Sequence, residues 1–322
     1  MKEEEVLILA DPRGNVWNFA KSIYEKLNSN PDRLVKYHLR EVNVTKFNDG
    51  EIFVNVEESV RNKICFFVHD SSMNPQDWAI SLVEINDALI RSSIKEIHNV
   101  LPYMKYSRQD RMTEPRTPIT SSVLAGMIGM MANGVITTDL HNPAITGAYS
   151  IPFDNLRAYP TIIDYLQNKY PDFLENLVIV APDVGSAEMA KSYAKRLEAD
   201  VAIAYKSREK AGVVGKMTLI GDVAGKNVII VDDMIDTAGT LCKAAEVLKE
   251  KGALRIWACA THGLFSNNAL ERLDVSFFDK VIITNSIPQE SLGKIEIVPL
   301  EDLFAETISR ISHGRSVSEL FR

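Results

Sequence analysis

Cysteine is scarce in this chain: among 322 residues there are three, Cys65, Cys242 and Cys259, with no C-x-x-C spacing. That excludes a disulfide framework or a thiolate zinc site, and the thiols read as buried in a reducing compartment. Positive charge is also in short supply. Lys and Arg number 36 against 43 Asp and Glu, for a net charge of -7. A general affinity for nucleic acid or an anionic membrane is thereby excluded, and any phosphate site must be a local gathering of donors. No G-x-G-x-x-G occurs, and 221–227 misses a P-loop by one spacer residue and the closing Ser/Thr. The start of the chain has three glutamates ahead of the apolar run 6–10, where a secretory leader needs basic residues and a longer apolar core. One stretch, 117–138, lacks charge and is long enough to cross a bilayer by count alone. Pro118, Thr120, Ser121, Ser122, Asn133 and Gly134 interrupt it, so a buried helix followed by a buried strand is expected. A cytoplasmic protein that engages neither membrane nor nucleic acid is the expectation.

What is present is an ordinary globular composition, 46% hydrophobic and 25% charged, in a chain of two-domain length. Short apolar runs rich in β-branched residues fall at 6–10, 64–69, 97–101, 135–138, 177–181, 201–205, 228–231, 255–260, 281–284 and 295–299. Continuous rather than alternating runs are the mark of parallel strands buried on both faces. Amphipathic pieces at 81–90, 187–198 and 240–251 lie between them, so the chain reads as α/β with helices on both faces of a mainly parallel sheet. The rhythm pauses over 153–176, among Pro152, Pro160 and Pro171, and predicts a domain boundary near residue 157. Each half then has a strand running into acids, 135–141 and 228–233. The segment 206–216, rich in Lys, Arg and Gly, has no strand or helix pattern and reads as a mobile loop.

The strongest chemical signal is 228–240. A buried strand runs into Asp232 and Asp233, a turn of small residues follows through Asp236, Thr237, Ala238 and Gly239, and a helix is predicted from Thr240. Unpaired backbone N–H groups in such a turn and at the helix start make a phosphate cradle, to which Thr237 and Thr240 add hydroxyls. Asp232 and Asp233 are placed to accept hydrogen bonds from sugar hydroxyls, directly or through a cation. The plain alternative is a strand–turn–helix junction with an Asp N-cap.

The segment 232–240 resembles the signature shared by phosphoribosyltransferases and the ribose-phosphate diphosphokinases, also called pyrophosphokinases, that supply them. Other segments resemble the diphosphokinase family alone. Residues 47–52 (Phe47, Asn48, Asp49, Gly50, Glu51, Ile52) are similar to its purine-binding loop. Residues 106–111, with Arg108 and Gln109, are similar to its ATP-gripping motif. Asp139-Leu140-His141 and Pro182-Asp183-Val184-Gly185 are similar to its metal-proximal motifs, and Lys206-Ser207-Arg208 to its catalytic K-x-R. Matches at 261–266 and 316–321 carry the resemblance over nearly the whole chain.

The resemblance implies two similar phosphoribosyltransferase-like domains, each a mainly parallel sheet flanked by helices. Residues 1–157 would bind ATP, 158–308 would bind ribose 5-phosphate, and a tail, 309–322, would pack back on the first. It implies transfer of diphosphate from Mg-ATP to ribose 5-phosphate. Phe47, Asp49, Gly50, Glu51, Arg108, Gln109 and His141 would contact ATP. Asp232, Asp233, Asp236, Thr237, Ala238, Gly239, Thr240 and Arg208 would contact ribose 5-phosphate. Lys206 and Arg208 would be catalytic, His141 and Asp183 would lie at Mg²⁺ with Asp139 in support, and the assembly would be a dimer-based homo-oligomer, a hexamer. Taken singly, Asp49-Gly50 reads equally as a hairpin turn, His141 as a core histidine, and Lys206 and Arg208 as surface charges; their order and spacing favour the site. His69-Asp70-Ser71, Ser121-Ser122, Ala238 and a short 206–220 loop depart from the family pattern and leave regulation by ADP or phosphate open. Two rival readings are a phosphoribosyltransferase, which needs one such domain, and a silent regulatory subunit, which lacks intact catalytic motifs.

Overall fold

The computed structural model describes residues 4–29, 35–206 and 217–321, with Lys206 described by its backbone alone. The chain divides into two compact units. Unit 1 comprises Met1–Arg157, Ser286–Pro288 and Leu300–Arg322, and unit 2 comprises Ala158–Asn285 and Gln289–Pro299.

Unit 1 runs β1 (Glu4–Ala10), α1 (Trp17–Ser29), β2 (Val35–Lys46), β3 (Ile52–Val56), β4 (Ile64–Val68), α2 (Pro75–Arg91), β5 (Glu96–Leu101), α3 (Thr120–Gly129), β6 (Gly134–Thr138) and β7 (Phe153–Leu156). Unit 2 runs α4 (Tyr159–Lys169), β8 (Leu177–Ala181), α5 (Ala187–Leu197), β9 (Asp200–Lys206), β10 (Met217–Ile220), β11 (Asn227–Ile235), α6 (Gly239–Glu250), β12 (Ile256–Gly263), α7 (Ala269–Asp274), β13 (Lys280–Thr284) and β14 (Ile295–Val298). The last helix, α8 (Glu301–Ser312), belongs to unit 1.

The two sheets share one plan. Their orders are β3-β2-β1-β4-β5-β6-β7 and β10-β9-β8-β11-β12-β13-β14. In each, one edge pair is antiparallel, β2 with β3 and β9 with β10, and the other pairs are parallel. The central strands are buried at every position in β4, β6 and β8, as strands covered on both faces require. In unit 1, Trp78, Leu82, Ile85 and Leu89 of α2 pack on Leu7, Leu9, Cys65 and Phe67 of the sheet. In unit 2, Leu241, Ala244, Ala245 and Leu248 of α6 cover Val228, Ile230, Ala258 and Ile283. No described helix is long and apolar enough to cross a membrane; the uncharged stretch breaks into α3 and β6.

Several expectations need correction. The prolines after 152 do not interrupt the pattern: Pro160 sits in the first turn of α4, where its missing N–H has no helical partner to lose, and β7 is a short edge strand. The returning tail begins at Leu300 rather than 309, because α8 packs on α1, with Phe304 edge-on to Phe19 at 5.4 Å and Lys26 bridged to Asp302 at 2.6 Å. In unit 2, burial would raise the Glu296 carboxyl on β14, but hydrogen bonds from Lys169, Tyr165, Tyr170 and Lys280 hold it down at about 2. That network ties α4 to the sheet edge.

Candidate active site

The acids of 228–240 do not end a strand. β11 continues through them to Ile235, because β12 keeps pairing, with Met234 opposite His262 and Ile235 opposite Gly263. Side chains alternate along a strand, so Asp232 and Asp233 start toward opposite faces. The Asp233 N–H donates back to Asp232 Oδ1 at 3.0 Å.

The loop after β8 comes alongside. Ser186 donates its hydroxyl to Asp232 Oδ1 at 2.7 Å, and its N–H to Asp183 Oδ1 at 3.1 Å. Gly185 permits this, since a Cβ there would stand 3.1 Å from Asp183 Oδ1. Ser186 thus joins Asp183 and Asp232 where β8 ends beside β11, the switch point of the sheet, where open α/β folds place ligands, and Asp233 is the next residue along β11. Burial, reinforced by the neighbouring Asp233 and then Asp183, pushes the Asp232 carboxyl up to about 7 despite the Ser186 hydrogen bond. Such a corner is short of positive charge and suits a divalent cation or a cluster of hydroxyl donors.

The turn beyond β11 is open. Helix α6 starts at Gly239, one residue before the expected Thr240, and its N-cap is Ala238 in the left-handed region (φ 59°), with no side-chain cap. The Asp N-cap alternative is thereby removed. First-turn N–H groups of a helix have no intrahelical partner, and the N-cap residue has no side chain to cap them. The Ser266 N–H donates to the Asp236 carbonyl at 3.0 Å, and Arg272 Nη1 donates to the Thr237 carbonyl at 2.9 Å. The Arg272 guanidinium therefore lies beside the cradle, 3.6 Å from where a Cβ on Gly239 would stand.

Unit 1 displays its candidates on three loops. Residues 47–51 are the turn of an antiparallel hairpin, β2 to β3, so the hairpin reading of Asp49-Gly50 is correct as structure. Gly50 at φ 96° donates to the Phe47 carbonyl, and the Phe47 N–H closes the turn on Glu51 at 2.8 Å. The Asp49 carboxylate accepts the Glu51 N–H. Phe47 is 56% exposed and lies edge-on to Phe53 at 5.5 Å. Arg108 and Gln109 are also exposed, Gln109 held by the Thr120 hydroxyl at 2.5 Å. After β6, Asp139 is buried at φ 32° with its N–H on the Leu156 carbonyl, and His141 is exposed rather than in a core. Asn142 donates to Asp110 at 2.5 Å, which brings the 106–111 and 139–142 loops together.

Not every expected neighbour is placed. Lys206 closes β9, and Arg208 with the expected loop 206–216 lies, beyond Lys206, outside the described residues. Asp139 and His141 belong to unit 1 and Asp183 to unit 2. Among the described residues, no three or more His, Cys, Asp or Glu are grouped so as to hold a metal by themselves.

Comparison with known proteins decides the family. A family model described as the N-terminal domain of ribose phosphate pyrophosphokinase matches residues 15–131, and one described as the phosphoribosyl synthetase-associated domain matches 208–322. A ribose-phosphate pyrophosphokinase of Chlorobaculum tepidum is 45% identical over 278 residues, 85% of each chain. One of Helicobacter hepaticus is 41% identical over 305 residues, 94% of this chain and 98% of its own. The chain belongs to the ribose-phosphate pyrophosphokinase family. A crystal structure of phosphoribosylpyrophosphate synthetase from Mycobacterium smegmatis superposes with a TM-score of 0.86 at 30% identity, covering 97% of this chain and all of the other.

Within this pyrophosphokinase frame, Ser186, Arg272 and Asn142 were not found from the sequence. Ser186 was detectable as the residue after Asp183-Val184-Gly185. Asn142 likewise follows Asp139-Leu140-His141, whereas Arg272 is an isolated polar residue that only the folded chain carries beside the turn.

Proposed function

We propose that the chain transfers the β,γ-diphosphate of ATP to the 1-hydroxyl of ribose 5-phosphate. The hydroxyl oxygen attacks the β-phosphorus and gives its proton up to solvent, the bond between the α,β-bridging oxygen and that phosphorus breaks, and AMP leaves as 5-phosphoribosyl 1-diphosphate forms. The observation that carries this reading is the turn at 236–240, with Ala238 left-handed at the start of α6 and Asp232 beside it, in a chain matched to pyrophosphokinases over nearly its full length.

Unit 2 takes ribose 5-phosphate in this reading. The backbone of 236–240, with the Thr237 and Thr240 hydroxyls, holds the 5-phosphate, and Asp232 and Asp233 accept from the ribose hydroxyls. Unit 1 takes ATP: Phe47 stacks on the base, Asp49 and Glu51 accept from its amino group and nearby atoms, and Arg108, Gln109 and His141 hold the nucleotide. Lys206 steadies negative charge gathering on the moving diphosphate, and Arg208 grips phosphate with its two-pronged guanidinium.

Magnesium suits this reading, because Ser186 holds Asp183 and Asp232 side by side, and burial with Asp233 and Asp183 nearby raises the Asp232 carboxyl. Asp183 and His141, supported by Asp139, are the residues that would lie at it, and few protein ligands suffice since Mg²⁺ keeps most of its water. Bound there, it would neutralise phosphate oxygens. Phosphoryl-type transfer otherwise asks for alignment more than covalent help. A cytoplasmic, dimer-based homo-oligomer, a hexamer in which Phe47 serves a neighbour's nucleotide, completes the reading.

Incubation with MgATP and ribose 5-phosphate, read by mass spectrometry, is expected to yield AMP and 5-phosphoribosyl 1-diphosphate in equal amounts. Consumption of the latter with a base would instead mark a phosphoribosyltransferase, and no turnover would mark a silent subunit. A Phe47→Asp variant should keep its melting temperature, since the ring is exposed. Its KM for ATP should rise about tenfold or more, in line with a lost aromatic stack of roughly 1–3 kcal/mol. Unchanged ATP saturation would remove Phe47 from the nucleotide site.

A further inference from the structure

The registers of the two sheets allow the units to be matched residue by residue. In unit 1, Leu9 of β1 pairs with Phe67 of β4; in unit 2, Val180 of β8 pairs with Ile230 of β11. β1 and β8 both end one residue later in alanine, and each alanine is followed at the same spacing by a glycine, Gly14 or Gly185, and then by Asn15 or Ser186. Counting on from Phe67 and Ile230 makes His69 the counterpart of Asp232 and Asp70 the counterpart of Asp233. Unit 1 therefore carries its own version of the carboxylate corner, and a cavity of about 430 Å³ opens there, lined by Asp11, Arg13, Lys46, His69, Asp70 and Met73 among others.

That corner is already filled. Asp70 Oδ2 accepts the Asn15 N–H at 2.8 Å, and Oδ1 accepts both the N–H and the hydroxyl of Ser72, at 2.8 and 2.7 Å. Two backbone amides and a hydroxyl converging from two loops are a donor set suited to an oxyanion. Here a carboxylate of the chain, 7% exposed, takes all three. Gly14 makes room for it, since a Cβ at that position would stand 2.9 Å from Asp70 Oδ2. The other acid of the pair is gone: His69 is buried with Nε2 2.9 Å from the Trp78 carbonyl, and burial pushes its ring down to about 4, so it is neutral. Lys105 supplies a cation that interacts with Asp70.

We infer that Asp70, the counterpart of Asp233, is a built-in anion that satisfies the donors of unit 1's corner, so that this corner takes no free oxyanion. Removing the carboxylate should turn the unit 1 corner into an oxyanion site, because Asn15 and Ser72 regain free donors while Arg13, Lys46 and Lys105 remain nearby.

The test is a pair of crystals, full-length wild type and Asp70→Ser, soaked in selenate and mapped by anomalous scattering. The expected result is a peak within hydrogen-bond reach of the Asn15 and Ser72 amides in the variant and none there in the wild type. A well-ordered variant without that peak overturns the inference, as does a wild-type peak at that place with Asp70 displaced. The peak at 236–240 is a separate outcome: its absence from both crystals counts against the phosphate cradle in unit 2 and leaves Asp70 as it was. Should the variant be too unstable to crystallise, melting temperatures in inorganic phosphate decide. A steeper rise for Asp70→Ser than for wild type supports the built-in anion, and an equal rise refutes it.

Discussion

An Asp232→Asn variant is expected to melt above the wild type at pH 8 and to match it near pH 4. In the folded chain the Asp232 carboxyl titrates near 7, against an ordinary value of 3.8. Below the lower value it is protonated in both folded and unfolded states, and ionisation there costs the fold nothing. Between the two values the unfolded chain ionises while the folded chain holds its proton, so stability falls as pH rises. Above 7 the loss is complete, a few kcal/mol and about 4 at the most. Asparagine keeps the acceptor for the Ser186 hydroxyl without the buried charge, so its melting curve should stay flat where the wild type declines. The same variant should lose roughly 10- to 100-fold in kcat/KM for ribose 5-phosphate, the worth of a hydrogen bond to an ionised acceptor. MgCl₂ should raise the wild-type melting temperature at pH 8 more than that of the variant. Parallel melting curves from pH 4 to pH 8 would show that the corner carries no strained charge.

Lys206→Ala is expected to lower kcat by about 10²–10³, the usual effect of losing one donor to charge that develops in the transition state. KM values for ATP and ribose 5-phosphate should move little, because an interaction made mainly in the transition state leaves ground-state binding alone. Lys206→Arg should not restore the rate, since a planar fork does not replace a compact point charge. A kcat within tenfold of wild type, or a loss confined to KM, would reassign Lys206 to substrate binding.

How far such residues can be read from sequence follows from what each one needs. The parallel strands were legible because strands covered on both faces become unbroken runs of Val, Ile and Leu, as in 177–181. β3 has no unbroken run because it is half-buried, alternating along Ile52–Val56, and was legible only as one arm of the Asp49-Gly50 hairpin. β7 and β10 are four-residue edge strands, too short for any periodicity to emerge. The strand through Asp232 and Asp233 was ended too early at Val231, since paired acids argue against a ladder that only the partner strand β12 reveals. The site followed the same division. Its local parts, the 232–240 segment and the 47–52 turn, were legible as spacing. Its long-range parts were not: Ser186 meets Asp232 across 46 residues, and Asn142 meets Asp110 across 32. Asp70 was noticed as a departure, but its meaning needed the registers of two sheets.

The return of α8 to the first unit sets the order in which the protein can be completed. A ribosome delivers all of 158–299 before it delivers the helix that covers Phe19, so the half begun first is the half finished last. Any fragment cut before Leu300 leaves the α1 face bare. The segment from Leu300 onward is thus a closing clasp on α1, and the first unit lacks its cover until that segment has been made.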